Sequence, residues 1–267
     1  MQFRPASRKA RKLRFALGGP AGSGKTYTAL LIARGLVGPS GRIGVIDTEN
    51  RSADLYADVD NIGNFGVLEL DNPSPEAYID ALVAAVEAKC DVVVIDSISH
   101  EWSGSGGILS IVDEVSKTIS GNKYAAWGEG TSRHNTFLET LLSCPFHLIA
   151  TMRSKMSYEQ GRNAAGRTVI RKLGMQPVQR DGVEYEFDVF GQMDDAHTLF
   201  VHKSRADFLD TGDTIQLPGL DLGRRLGAWL NNDEFADELA TTHVDMSEAA
   251  MEADLSSDAD LEAQPNG

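Results

Sequence analysis

The 267-residue chain is 42% hydrophobic, enough to bury a sizeable core, which excludes disorder throughout. No apolar run approaches the roughly 18 residues of a bilayer span, no apolar stretch follows the basic start as a secretory signal requires, and two separated cysteines, Cys90 and Cys144, fit a reduced cytoplasm without any disulfide or metal pattern. The net charge of −14 is segregated along the chain, which points to a polyanionic partner opposed by an acidic tail, or to a tail that serves solubility.

Arg4, Arg8, Lys9, Arg11, Lys12 and Arg14, with no acid among them, predict a basic arm over 1–12. Arg14 to Gly18 predicts a short buried strand, followed by a helix over 25–36 that Gly38-Pro39 closes. Strands over 42–47 and 67–70 and a helix over 75–89 come next. The run from Asp91 to Asp96 does not alternate, as expected of a strand buried on both faces. Helical spacing recurs at Ile108, Ile111, Val112 and Val115, and again at Phe137, Leu138, Leu141 and Leu142, before a buried strand over 146–151. This alternation predicts a mostly parallel central sheet flanked by helices. Beyond residue 180, Val183, Tyr185, Phe187 and Val189 alternate with acids, the pattern of a strand with one wet face. Residues 197–203 predict a further strand, so antiparallel strands are expected towards the C-terminus, and 220–230 a closing helix. Residues 13–230 thus form one α/β domain. Residues 231–267 hold eleven acids and no Lys or Arg; without them the 39 acids fall to 28 against 25 bases, and the segment is predicted to be disordered.

Gly19-Pro20-Ala21-Gly22-Ser23-Gly24-Lys25-Thr26 matches G-x-x-x-x-G-K-[ST] in full, between a strand and a helix. Its backbone N–H groups suit phosphate oxygens of ATP, Lys25 the β- and γ-phosphates, and Thr26 a magnesium ion. Asp96, at the tip of a buried strand 71 residues after Lys25, suits the second magnesium contact, with Ser97 beside it a cap or a further water contact. Hydrolysis needs a carboxylate to orient water; Glu49, after the second strand, is the candidate and Glu101 its competitor. Between 153 and 180, Arg153, Lys155, Arg162, Arg167, Arg171, Lys172 and Arg180 face one acid, Glu159, and glycines break any long helix. A flexible basic loop here suits single-stranded DNA, with Tyr158 as a stacking platform, or is a solvated loop. Tyr124, Trp127 and Trp102 are candidates for base stacking or for the core. Neither H-E-x-x-H, zinc spacing nor G-x-S-x-G occurs.

The ordered series GPAGSGKT, IDTE, VVVIDS, HLIATMRSK and VHKSR resembles the RecA-like recombination ATPases, in particular the compact core-only single-strand annealing proteins of bacteriophages, over about residues 13–230. The resemblance implies a RecA-like P-loop core with Glu49 as catalytic glutamate. It places Thr151 where such proteins carry a γ-phosphate sensor, usually Gln. Lys203 and Arg205 match a basic pair that reaches the neighbouring subunit's nucleotide, and the 153–180 segment matches a DNA-binding loop. Phe3-Arg4-Pro5-Ala6 has the F-x-x-A form that docks one subunit on the next. The expectation is a magnesium-dependent ATPase that anneals or exchanges single-stranded DNA as a ring or filament of identical subunits in the cytoplasm of a bacterial host, with a single-strand binding protein as a further partner. The rivals are an annealing protein that uses ATP only as a switch, and a P-loop kinase of a small molecule. If the tail competes with DNA, deleting residues 232–267 raises single-stranded DNA affinity at low salt; unchanged affinity in a salt titration removes that competition.

Overall fold

The computed structural model describes residues 3, 5–9, 11–119, 123–162, 168–232 and 241–243, with side chains outside 123, 158–173 and 241–243. Most of the expected tail, Arg4 of the F-x-x-A segment and Arg167 therefore lie outside the described residues.

The first strand, β1 (Arg14–Gly19), explains the architecture. Leu13, Phe15 and Leu17 enter one core and Ala16 the other, because successive side chains of a strand point to opposite faces. Strand β4 (Val92–Asp96) divides likewise, with Val92 and Val94 on one side and Val93 and Ile95 on the other. Each face must then be covered. Helices α1 (Lys25–Val37) and α6 (Leu220–Asn231) cover the first, through Leu30, Ile32, Leu222 and Leu226. Helices α2 (Pro75–Glu87) and α5 (Lys123–Ser143) cover the second, through Tyr78, Leu82, Phe137 and Leu141. Ser74 caps α2 by accepting the Ala77 N–H at 3.2 Å, with Pro75 in the first turn. Two short helices, α3 (Ser99–Ser103) and α4 (Ile108–Thr118), form a satellite cluster against α5.

The sheet runs β10-β9-β8-β7-β1-β5-β4-β2-β3. The stretch from β3 (Gly66–Glu69) through β2 (Ile43–Asp47), β4, β5 (His147–Arg162) and β1 to β7 (Val189–Met193) is parallel. Strands β8 (Thr198–Lys203) and β9 (Asp213–Gln216) continue it antiparallel, as does β10 (Thr241–His243). The C-terminal ends of β1, β4, β2 and β5 therefore share one edge, where α/β sheets hold ligands. The fold is the expected one: a mostly parallel sheet between helices, with antiparallel strands after it.

Three expectations change. Residues 153–162 and 168–177 are not a loop: β5 runs past Thr151 and pairs with β6 (Thr168–Pro177) as an antiparallel arm. Two of the glycines that seemed to break structure belong to it. Gly161 sits in the ladder opposite Val169, and Gly174, at φ 102°, takes up the register shift at Ser157 and Tyr158. The alternation at 183–189 is a 3₁₀ turn (Val183–Glu186) leading into β7. Val183 and Phe187 are buried but Tyr185 is 68% exposed, which no single strand face permits. Within the tail, residues 241–243 pair with β9.

Part of the basic arm is consumed internally. Arg11 pairs with Asp188 at 2.7 Å and Arg8 with Asp207 at 3.1 Å. Arg14 is buried, its guanidinium donating to the carbonyls of Leu142, Cys144 and Phe146 and so fastening the end of α5 to the start of β5. Among the described residues no helix is long and apolar enough to cross a membrane.

Helices α1 and α6 meet backbone to backbone: a Cβ on Gly223 would lie 2.2 Å from the Ile32 carbonyl, and one on Gly35 2.1 Å from that of Leu220. Gly223→Val is expected to cost about 2–3 kcal/mol, a drop in Tm of about 5–10 °C in thermal unfolding; an unchanged Tm would contradict this close packing.

Candidate nucleotide-binding site

The phosphate loop leaves β1 at Gly19, where a Cβ would strike Ser23 Oγ at 2.6 Å and the Met193 carbonyl at 2.8 Å. Gly24, left-handed at φ 83°, caps α1 without a side-chain hydrogen bond, and no acid occupies the first turn. The first-turn N–H groups and the positive end of the helix are thus left for an anion. Ser23 Oγ donates to the Pro20 carbonyl at 3.0 Å, which sets the curve of the loop, and Lys25 Nζ donates to the same carbonyl at 2.7 Å. His197, in the β7–β8 turn, backs the loop from below, with Nδ1 3.0 Å from the Ser23 carbonyl. Gly22 has no atom within 4 Å of where a Cβ would stand, so the loop interior is open. Burial pushes the Lys25 ammonium down, against the pull of Asp96 and Glu49.

Asp96 ends β4 beside the loop and is 2% exposed. Thr26 Oγ1 donates to its Oδ2 at 2.5 Å, and Thr151 Oγ1 from β5 donates to its Oδ1. Burial raises this carboxyl while the two hydroxyls pull it back. A hydroxyl and a carboxylate are hard oxygen ligands, and among the described residues no group of three or more His, Cys, Asp or Glu could hold an ion alone. Such a pair fits magnesium, which takes its remaining ligands from phosphates and water. Thr26 and Asp96 would hold it.

Glu49 reaches this centre because of Asp47. At the tip of β2, the buried Asp47 accepts the Glu49 N–H at 2.6 Å and the Ala53 N–H at 3.0 Å, curling the chain over so that Glu49 turns towards Ser97. Ser97 Oγ donates to Glu49 Oε1 at 3.1 Å, and Arg153 grips both carboxylate oxygens, Nε to Oε1 at 2.8 Å and Nη2 to Oε2. His100 Nε2 lies 3.8 Å away, its ring set by Thr48 Oγ1 2.8 Å from Nδ1. Burial alone would raise Glu49, but Arg153, His100 and Ser97 hold it below the usual carboxylate range. Phosphate loop, buried aspartate and strand-tip glutamate thus stand together at one edge of the sheet.

The sequence profile of the AAA domain family matches residues 11–216, more than three quarters of the chain. The chain belongs to the AAA domain family. It is therefore a P-loop protein of a nucleotide-binding ATPase family, which implies ATP and magnesium at the site just described. No curated protein matches it. Helix α6 lies beyond the matched segment of the AAA domain yet packs on the second half of α1, from Leu31 to Leu36.

The other expected site residues are dispersed over this AAA domain. Glu101 does not compete with Glu49: it is fully buried, both oxygens within 3.2 Å of His134 Nδ1 and one accepting from Gln179 Nε2 at 3.1 Å. Thr151 spends its hydroxyl on Asp96, and the next partly exposed side chain of β5, Arg153, is the one that faces the centre. Arg153 thus belongs to the nucleotide site rather than to the outer arm. Lys155 is exposed on the arm; Arg162, Arg171 and Lys172 occupy ladder positions opposite Thr168, Glu159 and Tyr158. Lys203 pairs in register with Phe190, itself opposite Ala16, about 10 Å along the strands from Gly19. Its ammonium donates to the carbonyls of Tyr185 and Phe187, and Arg205 lies 3.9 Å from Asp188. Neither reaches this chain's own loop. Tyr124 is 91% exposed, while Trp102 stacks between Trp127 and His134.

Several contributors escape a linear reading: His100, His197, Thr48, Asp47 and the pair Tyr27–Tyr56, whose rings lie 5.5 Å apart beside Thr26. Burial, Asp96 and Tyr27 raise the Tyr56 phenol, which marks it as a neighbour of the centre. Only His100, four residues past Asp96, carried a positional signal. The buried Glu101 assignment is testable. Glu101→Ala leaves His134 Nδ1 without its partner and takes one of two acceptors from Gln179 Nε2, and is expected to cost about 2–4 kcal/mol in chemical denaturation, with the Glu101→Ala/His134→Ala double variant losing less than the sum. Additive losses would contradict the contact.

Proposed function

We propose that this protein is an ATP-hydrolysing, single-stranded-DNA-binding recombination ATPase of the RecA-like type, at work as an assembly of identical subunits. The observation that carries the reading is the position of Glu49: a carboxylate at the tip of the strand beside β4, facing the Lys25 and Asp96 centre. There it would accept a proton from, and orient, a water attacking the terminal phosphate, while Lys25 and the first-turn N–H groups neutralise charge building on the phosphate oxygens. Bound Mg–ATP supplies the electrophilic phosphorus and the leaving group.

The basic β5–β6 arm supports the DNA part of the reading. It springs from the same sheet edge as the nucleotide centre, and its Lys155, Arg162, Arg171 and Lys172 suit a phosphate backbone without sequence preference, as does Arg167 in the sequence between the two strands. The assembly part draws on two features. Lys203 and Arg205, matched by resemblance to a pair that reaches a neighbour's nucleotide, stand away from this chain's own loop. Phe3 is fully exposed, and a cavity of about 750 Å³ opens between α2 and the β2–β3 edge, lined by Phe65, Val67, Ala84 and Ala88, fit to receive such an aromatic from a second copy.

ATP turnover of the full chain, with and without single-stranded DNA, tests the reading beside Lys25→Ala and Glu49→Gln. DNA is expected to raise turnover, and each substitution to lower it by about 100-fold or more. If ATP binds while turnover stays at background and DNA is still annealed, ATP is a switching ligand and the hydrolytic role falls.

A further inference from the structure

Glu49 is poorly placed to hold a water as long as Arg153 holds it. Three of its four or so acceptor positions are taken, two by the guanidinium and one by the Ser97 hydroxyl. The pair joins residues 104 apart and is the only contact by which the β5–β6 arm touches Glu49 among the described hydrogen bonds.

The main chain of Arg153 is held by bonds of its own, apart from those of its side chain to Glu49. The Arg153 N–H donates to Ser99 Oγ at 2.9 Å, and its carbonyl accepts the Val178 N–H at 2.6 Å, so the root of the arm is locked to α3 and to the segment after β6. The Arg153 side chain is 52% exposed, so it is not enclosed on all sides as it leaves this fixed root. It stands close enough to Lys25 and Asp96 to share their field. A terminal phosphate offers a guanidinium more charge than a carboxylate does, in the same bidentate geometry.

We propose that Arg153 exchanges Glu49 for the terminal phosphate of the bound nucleotide: it restrains Glu49 until a triphosphate arrives, then grips the phosphate and frees the carboxylate for water. This inference rests on the nucleotide site proposed above. Arg153 is then both a catalytic residue, touching the reacting phosphate, and the group that distinguishes ATP from ADP.

The exchange predicts an affinity pattern that needs no turnover. Fluorescent ADP and a fluorescent non-hydrolysable ATP analogue, each with magnesium, are titrated against the full chain and its Lys25→Ala, Glu49→Gln, Arg153→Gln and Glu49→Gln/Arg153→Gln variants. Glu49→Gln, by releasing Arg153, is expected to tighten the triphosphate analogue about tenfold, and Arg153→Gln to weaken it about tenfold, with ADP affinity unchanged in both. Unchanged ADP binding also shows that the variants are folded. In the double variant the gain from Glu49→Gln disappears. A gain that persists without Arg153 means that Glu49 only repels the phosphate, and overturns the exchange while leaving a Lys25-dependent nucleotide site intact. Failure of the unmodified chain to bind either nucleotide overturns the site and the exchange together.

Discussion

The buried carboxylate of Asp96 is the point on which the centre is assembled. A charge removed from water is costly unless hydrogen bonds replace its hydration. Here Thr26 brings the first turn of α1 and Thr151 brings β5, one hydroxyl to each carboxylate oxygen. The sheet order β1-β5-β4-β2 makes this possible, because β5 separates the strand that feeds the phosphate loop from the strand that ends in Asp96. The same two oxygens that stabilise the fold are the hard ligands a magnesium ion would require.

Around that point the work is divided between strand tips. Strand β2 ends in Asp47, whose carboxylate shapes the turn that presents Glu49. Strand β5 is divided within itself. Its first part, from His147 to Met152, is core, and from Arg153 onward it leaves the core as one half of an antiparallel arm. The boundary residue is the one that turns back to Glu49. The Glu49 contact and the basic arm are therefore parts of one strand.

Buried polar side chains keep these pieces in register. Arg14 fastens the end of α5 to β5, Arg34 holds the carbonyls of Ile62 and Asn64 against the end of α1, and Glu101 joins α3, α5 and Gln179 just beyond the arm. Each is satisfied by several partners, as a group in a low-dielectric interior must be. Gln179 also donates to the Ile98 carbonyl, two residues after Asp96, so the returning end of the arm is pinned to the nucleotide centre as firmly as the outgoing end.

The sequence by itself determined what is local. The phosphate loop follows from glycine spacing, the parallel sheet from strands whose apolar runs do not alternate, and Asp96 and Glu49 from their places after such strands. Pairings across long sequence distances leave no periodicity to detect, and those the tertiary structure decided. Arg153, counted among bases of a loop, meets Glu49 across 104 residues; Glu101, the competitor of Glu49 from its position, is buried against His134; Lys203 and Arg205 end at the level of the sheet away from their own loop. The apparent loop became an arm because its two halves satisfy one another's backbone groups, a gain that neither half displays alone. Local chemistry declared that a nucleotide binds here, and only the place of β5 between β1 and β4, with its Arg153 root on α3, decided which charge stands beside Glu49, because that choice is made by strand order and burial rather than by neighbours in the chain.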